Sequence, residues 1–143
     1  MAINGKSKGN EFERHVSKTL SLWWTSGETD SVFWRTQNSG ARYTIRKRVD
    51  KDTYHQGGDI CDVDPIGKPF CDKFMIELKC YKVIDLWNMI NENGFLVEWW
   101  NKLNASASDA NKIPLLIVKQ NNKPILCRSG CNQVSNHQPD PIP

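Results

Sequence analysis

Two carboxylates and one ammonium group are the side chains of this sequence best suited to chemistry. Asp59 follows Gly58, and Glu77 and Lys79 lie in the segment Phe-Met-Ile-Glu-Leu-Lys-Cys at residues 74–80. That segment is apolar enough to be a buried strand, and side chains alternate faces along a strand, so Glu77 and Lys79 must point to the same side. A charged pair in such a segment costs folding free energy unless something compensates it. A bound divalent cation is one such compensation.

The chemistry that these groups suit is phosphodiester hydrolysis, which needs a deprotonated water near phosphorus and neutralised charge on the phosphate oxygens. Mg²⁺ prefers oxygen ligands and keeps several waters, and Mn²⁺ can substitute for it. Asp59, Glu77, the backbone carbonyl of Leu78 and a phosphate would complete its shell. Lys79 could orient the attacking water or stabilise developing negative charge. We therefore expect a magnesium-dependent nuclease site.

A predicted helix over residues 8–24 brings a third acid. Its apolar face is formed by Phe12, Val16, Leu20 and Trp23. At about 100° per residue, Glu13 falls roughly 50° from the centre of that face, whereas Glu11 falls about 150° away. Glu13 is therefore expected to face the protein body, where it could bind a metal or polarise water, and Glu11 to face solvent.

Three strands are expected to position the acids. Strand-favouring residues occupy 31–37, 58–64 and 74–80. The prolines and glycine of residues 65–69 suit a turn, so the second and third strands are predicted to form an antiparallel hairpin. Such a hairpin would bring Asp59 alongside the distal half of the third strand, where Glu77 lies.

The second half of the chain predicts helices and further strands. Residues 84–111 have helical periodicity interrupted at Asn93-Gly94, which indicates two helices or one kinked helix, and strands are predicted at 113–119 and 125–128. We expect one α/β domain over residues 1–128, with a central mixed sheet flanked by helices. Residues 129–143 are polar and contain prolines, which predicts a poorly packed tail.

Length and composition fit one globular domain. The chain has 143 residues, of which 38% are hydrophobic and 24% charged, and it contains no apolar stretch long enough for a membrane span. The amino terminus lacks the apolar core of a secretory signal, so we expect a cytoplasmic protein of a prokaryotic cell or phage-infected host. Five cysteines are an odd number, which disfavours a disulfide framework. Cys127, Cys131 and His137 form only a weak zinc pattern.

Positive charge is concentrated in one stretch although the net charge is only +3. The expected phosphate-contacting residues are Arg35, Arg42, Arg46, Lys47, Arg48 and Lys51, with Asp50 as the single acid among them. A solvated surface loop would have the same composition. Most of the six tryptophans are interpreted as packing residues, and Trp34 and Trp99 are left open between packing and base stacking.

The order helix with Glu, strand, strand with Gly-Asp, strand with Glu-x-Lys, helix, strand resembles the PD-(D/E)xK nuclease superfamily. Lys8-Gly9-Asn10-Glu11-Phe12-Glu13-Arg14 is similar to the opening Lys-Gly-x-x-x-Glu-Arg of archaeal-type Holliday junction resolvases and related small phage nucleases. Gly58-Asp59-Ile60 and Glu77-Leu78-Lys79 resemble their metal motif. The similarity covers residues 6–82 and, more loosely, extends to Lys119.

The resemblance implies a restriction-endonuclease-like core with the order αβββαβ. It implies that Asp59 and Glu77 bind metal, that Lys79 is catalytic and that Glu13 is the helix-borne acid. Ser39 is similar to a serine that those resolvases place after the first strand. The sequence departs from them in a basic insertion at about 41–56 and in the paired tryptophans at 99–100.

The implied function is a metal-dependent DNA endonuclease, which could act on branched DNA such as four-way junctions. Resolvases of this type act as homodimers, and an apolar patch on the helices after Ile84 could serve that contact. Another nuclease of the superfamily, such as a restriction enzyme, a repair enzyme or a RecB-like exonuclease, is the alternative enzyme. A catalytically silent DNA-binding module, with the acids paired to basic residues, is the alternative from another class.

Overall fold

The computed structural model describes residues 5–36 and 57–130, which contain both helices and strands. In chain order the elements are α1 (Gly5–Trp24), β1 (Phe33–Arg35), β2 (Ile60–Asp62), a 3-10 turn (Pro65–Gly67), α2 (Lys68–Lys73), β3 (Phe74–Tyr81), α3 (Leu86–Ile90), α4 (Phe95–Asp109), β4 (Ile113–Gln120) and β5 (Ile125–Ser129). Across these two ranges, no helix combines the length and apolarity that crossing a membrane would require.

The main sheet has three strands in the order β3-β4-β5 and is mixed. β3 pairs in parallel with β4, so that Glu77 lies opposite Leu116, and β4 pairs antiparallel with β5. β1 and β2 form a second, antiparallel ladder. A backbone hydrogen bond from the Asp59 N–H to the Ile76 carbonyl (2.7 Å) joins the two ladders next to β3. The predicted α/β fold with a mixed sheet is confirmed.

The predicted hairpin between the second and third strands is wrong. In the described part of the chain β2 is paired with β1, and β3 is paired with β4. The segment at 65–69 does not form a simple turn, because it is the 3-10 turn and the start of α2, where Pro69 occupies a first-turn position that needs no N–H donor. α2 buries Phe70 and thereby becomes part of the core. Asp59 still reaches β3, as predicted, but through the backbone bond to Ile76.

Two hydrophobic clusters lie on opposite faces of the sheet. The cluster on the α1 side comprises Phe12, Val16, Val32, Phe33, Ile60, Phe70, Cys71, Ile76, Leu78 and Ile117. The cluster on the α4 side comprises Met75, Leu96, Leu103, Ala107, Leu116 and Val118. Neighbouring residues of β3 and β4 alternate between the clusters, as the period of a strand requires. Ile76 and Leu78 of β3 are buried on the α1 side.

Buried hydroxyl groups fasten α1 to β1. Ser21 Oγ accepts hydrogen bonds from the backbone N–H groups of Val32 (3.1 Å) and Phe33 (2.9 Å), and it donates to the Ser17 carbonyl (2.8 Å). Both serines are fully buried, so these bonds compensate the cost of removing the hydroxyls from water. The contact sets α1 against the start of β1 and thereby places Glu13, eight residues before Ser21, beside the end of that strand.

The carboxyl-terminal part follows the predicted periodicity. The interruption at Asn93-Gly94 separates α3 from α4, and Gly94 caps α4 with a φ of 86° that favours glycine. Ser129 still belongs to β5, and the Gly130 N–H donates to the Pro114 carbonyl (3.0 Å), so ordered structure extends beyond the boundary predicted at residue 128. The rest of the predicted tail lies outside the described residues.

Candidate active site

β3 places Glu77 and Lys79 on its α4 side. Glu77 Oε1 and Lys79 Nζ are 2.7 Å apart, and their side chains are 29% and 26% exposed. The two residues are one strand period apart, so the alternation of side chains brings them to the same face. The predicted common orientation is therefore confirmed. Their partial exposure leaves both charged groups accessible from solvent.

Asp59 binds directly to the backbone of β3. Its N–H donates to the Ile76 carbonyl (2.7 Å), and its Oδ2 accepts a hydrogen bond from the Leu78 N–H (2.7 Å). The carboxylate therefore occupies the place that a neighbouring strand's carbonyl would take. Ile76 and Leu78, the residues on either side of Glu77, hold Asp59 in this way. Asp59 and Glu77 are brought together as the sequence predicts.

Gly58 allows this close approach. Its φ is +92°, a left-handed conformation that favours glycine. A Cβ at this position would lie 2.6 Å from the Ile76 carbonyl oxygen and 3.0 Å from the Ile76 nitrogen. Both are backbone atoms, which cannot move aside as a flexible side chain would. Glycine at position 58 is thus a geometric requirement of the contact between this segment and β3.

α1 presents Glu13 at the edge of this site. Glu13 is half-buried and Glu11 is exposed, which confirms the orientations predicted from the helical periodicity. The Glu13 Oε2 lies 3.6 Å from the Nη1 of Arg35, which also donates to the Asn10 Oδ1 (2.8 Å). Arg35 therefore holds Glu13 at the end of β1, and its predicted contact with phosphate stays a prediction.

The acids from three segments influence each other electrostatically. Burial and then the charge of Asp59 raise the pKa of Glu77, while the hydrogen bond from Lys79 opposes that rise. Burial and the charge of Asp59 also raise the pKa of Glu13, and Arg35 opposes it. Burial lowers the pKa of Lys79, but its hydrogen bond to Glu77 together with the negative charges of Glu77 and Asp59 outweighs this and leaves the pKa raised. A cation bound here would relieve repulsion among the carboxylates.

The donor set fits a hard cation that binds together with a substrate. Among residues 5–36 and 57–130, no group of three or more His, Cys, Asp or Glu side chains is arranged to enclose a metal ion. Asp59 and Glu77 provide two carboxylates, and Mg²⁺ is commonly held by one or two carboxylates, several waters and substrate phosphates rather than by an all-protein cage. The metal-binding role of the Leu78 carbonyl stays a prediction.

Several predicted residues lie outside the described ranges. These are Ser39, Arg42, Arg46, Lys47, Arg48 and Lys51. Their DNA-binding roles stay predictions. Cys131 and His137 of the weak zinc pattern are also outside, whereas Cys127 is an exposed free thiol on β5.

Aromatic residues lie beside Lys79, and the sequence does not identify them as a group. The Lys79 Nζ lies 5.8 Å from the ring centroid of Trp99 on α4, and the rings of Trp99 and Tyr81 are 4.8 Å apart. The signal was present, because Tyr81 follows Lys79 by one strand period and therefore shares its face. The second ring, that of Trp99, comes from α4. Its position next to Tyr81 depends on how α4 packs on the sheet, which the sequence alone does not indicate.

The fold and the site together define a class of protein. A mixed sheet flanked by helices, with Gly-Asp bound to the strand that carries Glu-x-Lys, is the arrangement of a nuclease of the PD-(D/E)xK kind with a restriction-endonuclease-like fold. The chain belongs to the family described as phage putative PDDEXK endonuclease, whose model matches residues 4–139. Searches of curated proteins and of solved structures found no match. The resemblance to this superfamily is thereby confirmed.

Proposed function

We propose that this nuclease is a divalent-metal-dependent endodeoxyribonuclease whose metal ligands are Asp59, Glu77 and the Leu78 backbone carbonyl. The observation that carries the proposal is the 2.7 Å hydrogen bond between the Asp59 carboxylate and the Leu78 N–H, because it fixes one acid to the strand that bears the other. Mg²⁺, or Mn²⁺ in its place, would supply Lewis-acid activation of the phosphate and acidification of a bound water.

Lys79 supplies positive charge at the same place. Its ammonium group has three donors, of which one is directed to Glu77 Oε1. The remaining donors suit a non-bridging phosphate oxygen or the attacking water, so the pair with Glu77 positions Lys79 for transition-state stabilisation. Glu13, held by Arg35, would polarise a water or complete the metal shell from the side of α1.

The proposed substrate is branched DNA, with four-way junctions as the specific case. The support is the similarity of the segment at residues 8–14 and of the two acidic motifs to Holliday junction resolvases. The basic segment around residues 42–51 would contact phosphates, and a homodimer would allow two strands to be cut symmetrically. Restriction, repair or exonuclease activity on linear DNA is the alternative that a comparison of substrates would reveal.

The metal and residue assignments are tested with Asp59→Asn and Glu77→Gln, which preserve side-chain shape and remove the negative charge. We expect the unmodified protein to cut DNA with Mg²⁺ or Mn²⁺ and not with EDTA, and each variant to cut at least about a hundredfold more slowly. Asp30→Asn, at an exposed ion pair with Lys18, is the matched control and should retain activity. Equal cleavage with and without EDTA would contradict the proposal.

The substrate assignment is tested by incubating a four-way junction, a linear duplex and a single strand side by side. Symmetric paired nicks in the junction would support resolution, whereas cuts confined to linear DNA would assign another nuclease activity. A silent binding module would show salt-sensitive DNA binding with no cut strands in any metal. Sedimentation of the protein alone and with the junction would measure the predicted dimer.

A further inference from the structure

Three aromatic rings form a column beside Lys79, and we name Tyr81, Trp99 and Phe95 the aromatic column. The rings of Tyr81 and Trp99 have centroids 4.8 Å apart and planes 32° apart. The rings of Trp99 and Phe95 are stacked, with centroids 6.1 Å apart and planes 18° apart. Trp99 and Phe95 are four residues apart on α4, which places them on one face of the helix.

The column passes Lys79 at its middle ring, Trp99, and reaches solvent at both outer rings. Trp99 is half-buried, whereas Tyr81 is 47% and Phe95 71% exposed. Leaving rings of this size in water forgoes the free energy that their burial would provide. A flat apolar partner that stacks on these rings would recover it.

Lys79 and the aromatic column together match the phosphate and the base of a nucleotide. Lys79, 5.8 Å from the centroid of the Trp99 ring, offers a cation to a phosphate, and the rings offer π faces to a base. A cavity of about 300 Å³ adjoins the column and is lined in part by Asp85 and Glu98. These carboxylates would repel a phosphate but accept hydrogen bonds from the amino groups of a base. The positive charge of Lys79 and the negative charges at the cavity therefore favour a DNA strand whose backbone passes Lys79 and whose base points towards the cavity.

We propose that the aromatic column stacks on an unpaired nucleobase adjacent to the phosphate that is cut. A base within a duplex already has both faces covered, so that only a base freed from the helix can stack on protein rings. The favoured substrate then carries an unpaired or unstacked nucleotide at the cleavage position, as occurs at a branch point or a flap. This inference rests on the proposed nuclease function and specifies which DNA structure the proposed active site prefers.

The test uses Glu77→Gln protein, so that binding is measured without cleavage, and DNA with one 2-aminopurine base. Stacking on the column should quench the fluorescence of 2-aminopurine in an unpaired position and leave a paired position unchanged. Adding Phe95→Ala should weaken binding of the unpaired DNA by about five- to 150-fold, the range for loss of one stacked base. Duplex binding should change by less than about twofold.

Matched variants separate stacking from other roles of this surface. Phe95→Tyr keeps a ring and should retain quenching and affinity, whereas Phe95→Leu keeps apolar volume and should lose both. Trp23→Ala, a similarly exposed aromatic at 66% on α1, should change neither. Circular dichroism of each variant confirms folding, and Phe95 is exposed enough for the substitution to be tolerated.

Two outcomes would overturn the inference. One is equal weakening of paired and unpaired DNA by Phe95→Ala. The other is unchanged DNA binding with loss of a dimer in sedimentation, which would assign the column to a second copy of the chain. These readouts do not depend on cleavage, so a column that binds bases in a protein that cuts no DNA would instead contradict the proposed nuclease mechanism.

Discussion

The two faces of β3 differ although their residues alternate along the same eight-residue strand. On the α1 side, Ile76 and Leu78 are 1% and 7% exposed and lie within one apolar cluster. On the α4 side, buried Met75 is followed by the half-buried pair Glu77 and Lys79. One face is thus packed along this stretch, and the other passes from core to solvent within a few residues.

The difference shows how a strand can hold charged groups firmly without enclosing them. The packed face fixes the backbone, and each step of two residues on the other face advances about 7 Å towards water. Glu77 and Lys79 therefore lie where burial is partial, which permits access to a substrate and limits the desolvation cost. Variants on the two faces should separate stability from activity.

Ile76→Ala is expected to have the largest effect on stability. Removing a fully buried aliphatic side chain leaves a cavity, and the expected loss is about 2–5 kcal/mol in the free energy of unfolding. Urea denaturation measures it, with Val83→Ala, 71% exposed, as the control that should change stability by less than about 0.5 kcal/mol. Equal effects of the two substitutions would refute the view of this face as the packed one.

Gly58→Ala should reduce both stability and cleavage. The left-handed φ and the overlap of the new Cβ with the Ile76 carbonyl should together cost about 2–4 kcal/mol, and the necessary shift would displace Asp59. Gly27→Ala is a matched control, because its φ is +94° and nothing lies within 4 Å of its added Cβ. It should cost only the backbone strain, about 1–2 kcal/mol, with cleavage unchanged. Similar cleavage by both variants would contradict a role for close approach at Gly58.

Ser21→Ala tests the polar anchor beneath the packed face. The substitution removes the shared acceptor of the Val32 and Phe33 N–H groups and should cost about 1–3 kcal/mol. Ser108→Ala, on the exposed side of α4, is the comparison and should stay within about 0.5 kcal/mol. Thermal denaturation of both variants is the measurement. No difference between them would show that water replaces the lost acceptor.

Glu77→Gln should have the smallest effect on stability, within about 1 kcal/mol at neutral pH, despite its loss of cleavage. Burial and then Asp59 raise the pKa of Glu77 in the folded protein. The unfolded chain therefore ionises first as the pH rises, so this residue lowers stability above its ordinary pKa of 4.5. The variant should gain stability relative to the unmodified protein from about that pH upwards. Urea titrations between pH 4 and 8 check it, and a relative loss with rising pH would contradict the expected direction.

The sequence predicted those features that depend on local periodicity. The common face of Glu77 and Lys79 follows from strand alternation, and the opposite orientations of Glu13 and Glu11 follow from helical geometry. The break at Gly94 follows from its conformational freedom. In each case the residues that decide the structure are close together in the chain.

The features that were wrong or missed depend on contacts between distant segments. The predicted hairpin is wrong because the short segment before β3 can also form a helix. The helix is favoured because it buries Phe70. The parallel pairing of β3 with β4 joins segments separated by two helices, so no turn sequence between them indicates that they pair. The meeting of Tyr81 with Trp99 likewise follows from how α4 packs on the sheet.

The hydrogen bond from the Leu78 amide to the Asp59 carboxylate makes one proton a reporter of whether the proposed site is assembled. While the bond is intact, exchange of that amide with deuterated solvent is slowed. Opening of the contact between Asp59 and β3 exposes the amide and separates Asp59 from Glu77 in the same event. The protection factor of this amide thus equals the ratio of assembled to dismantled sites. Mass spectrometry could follow that ratio without any nucleic acid present.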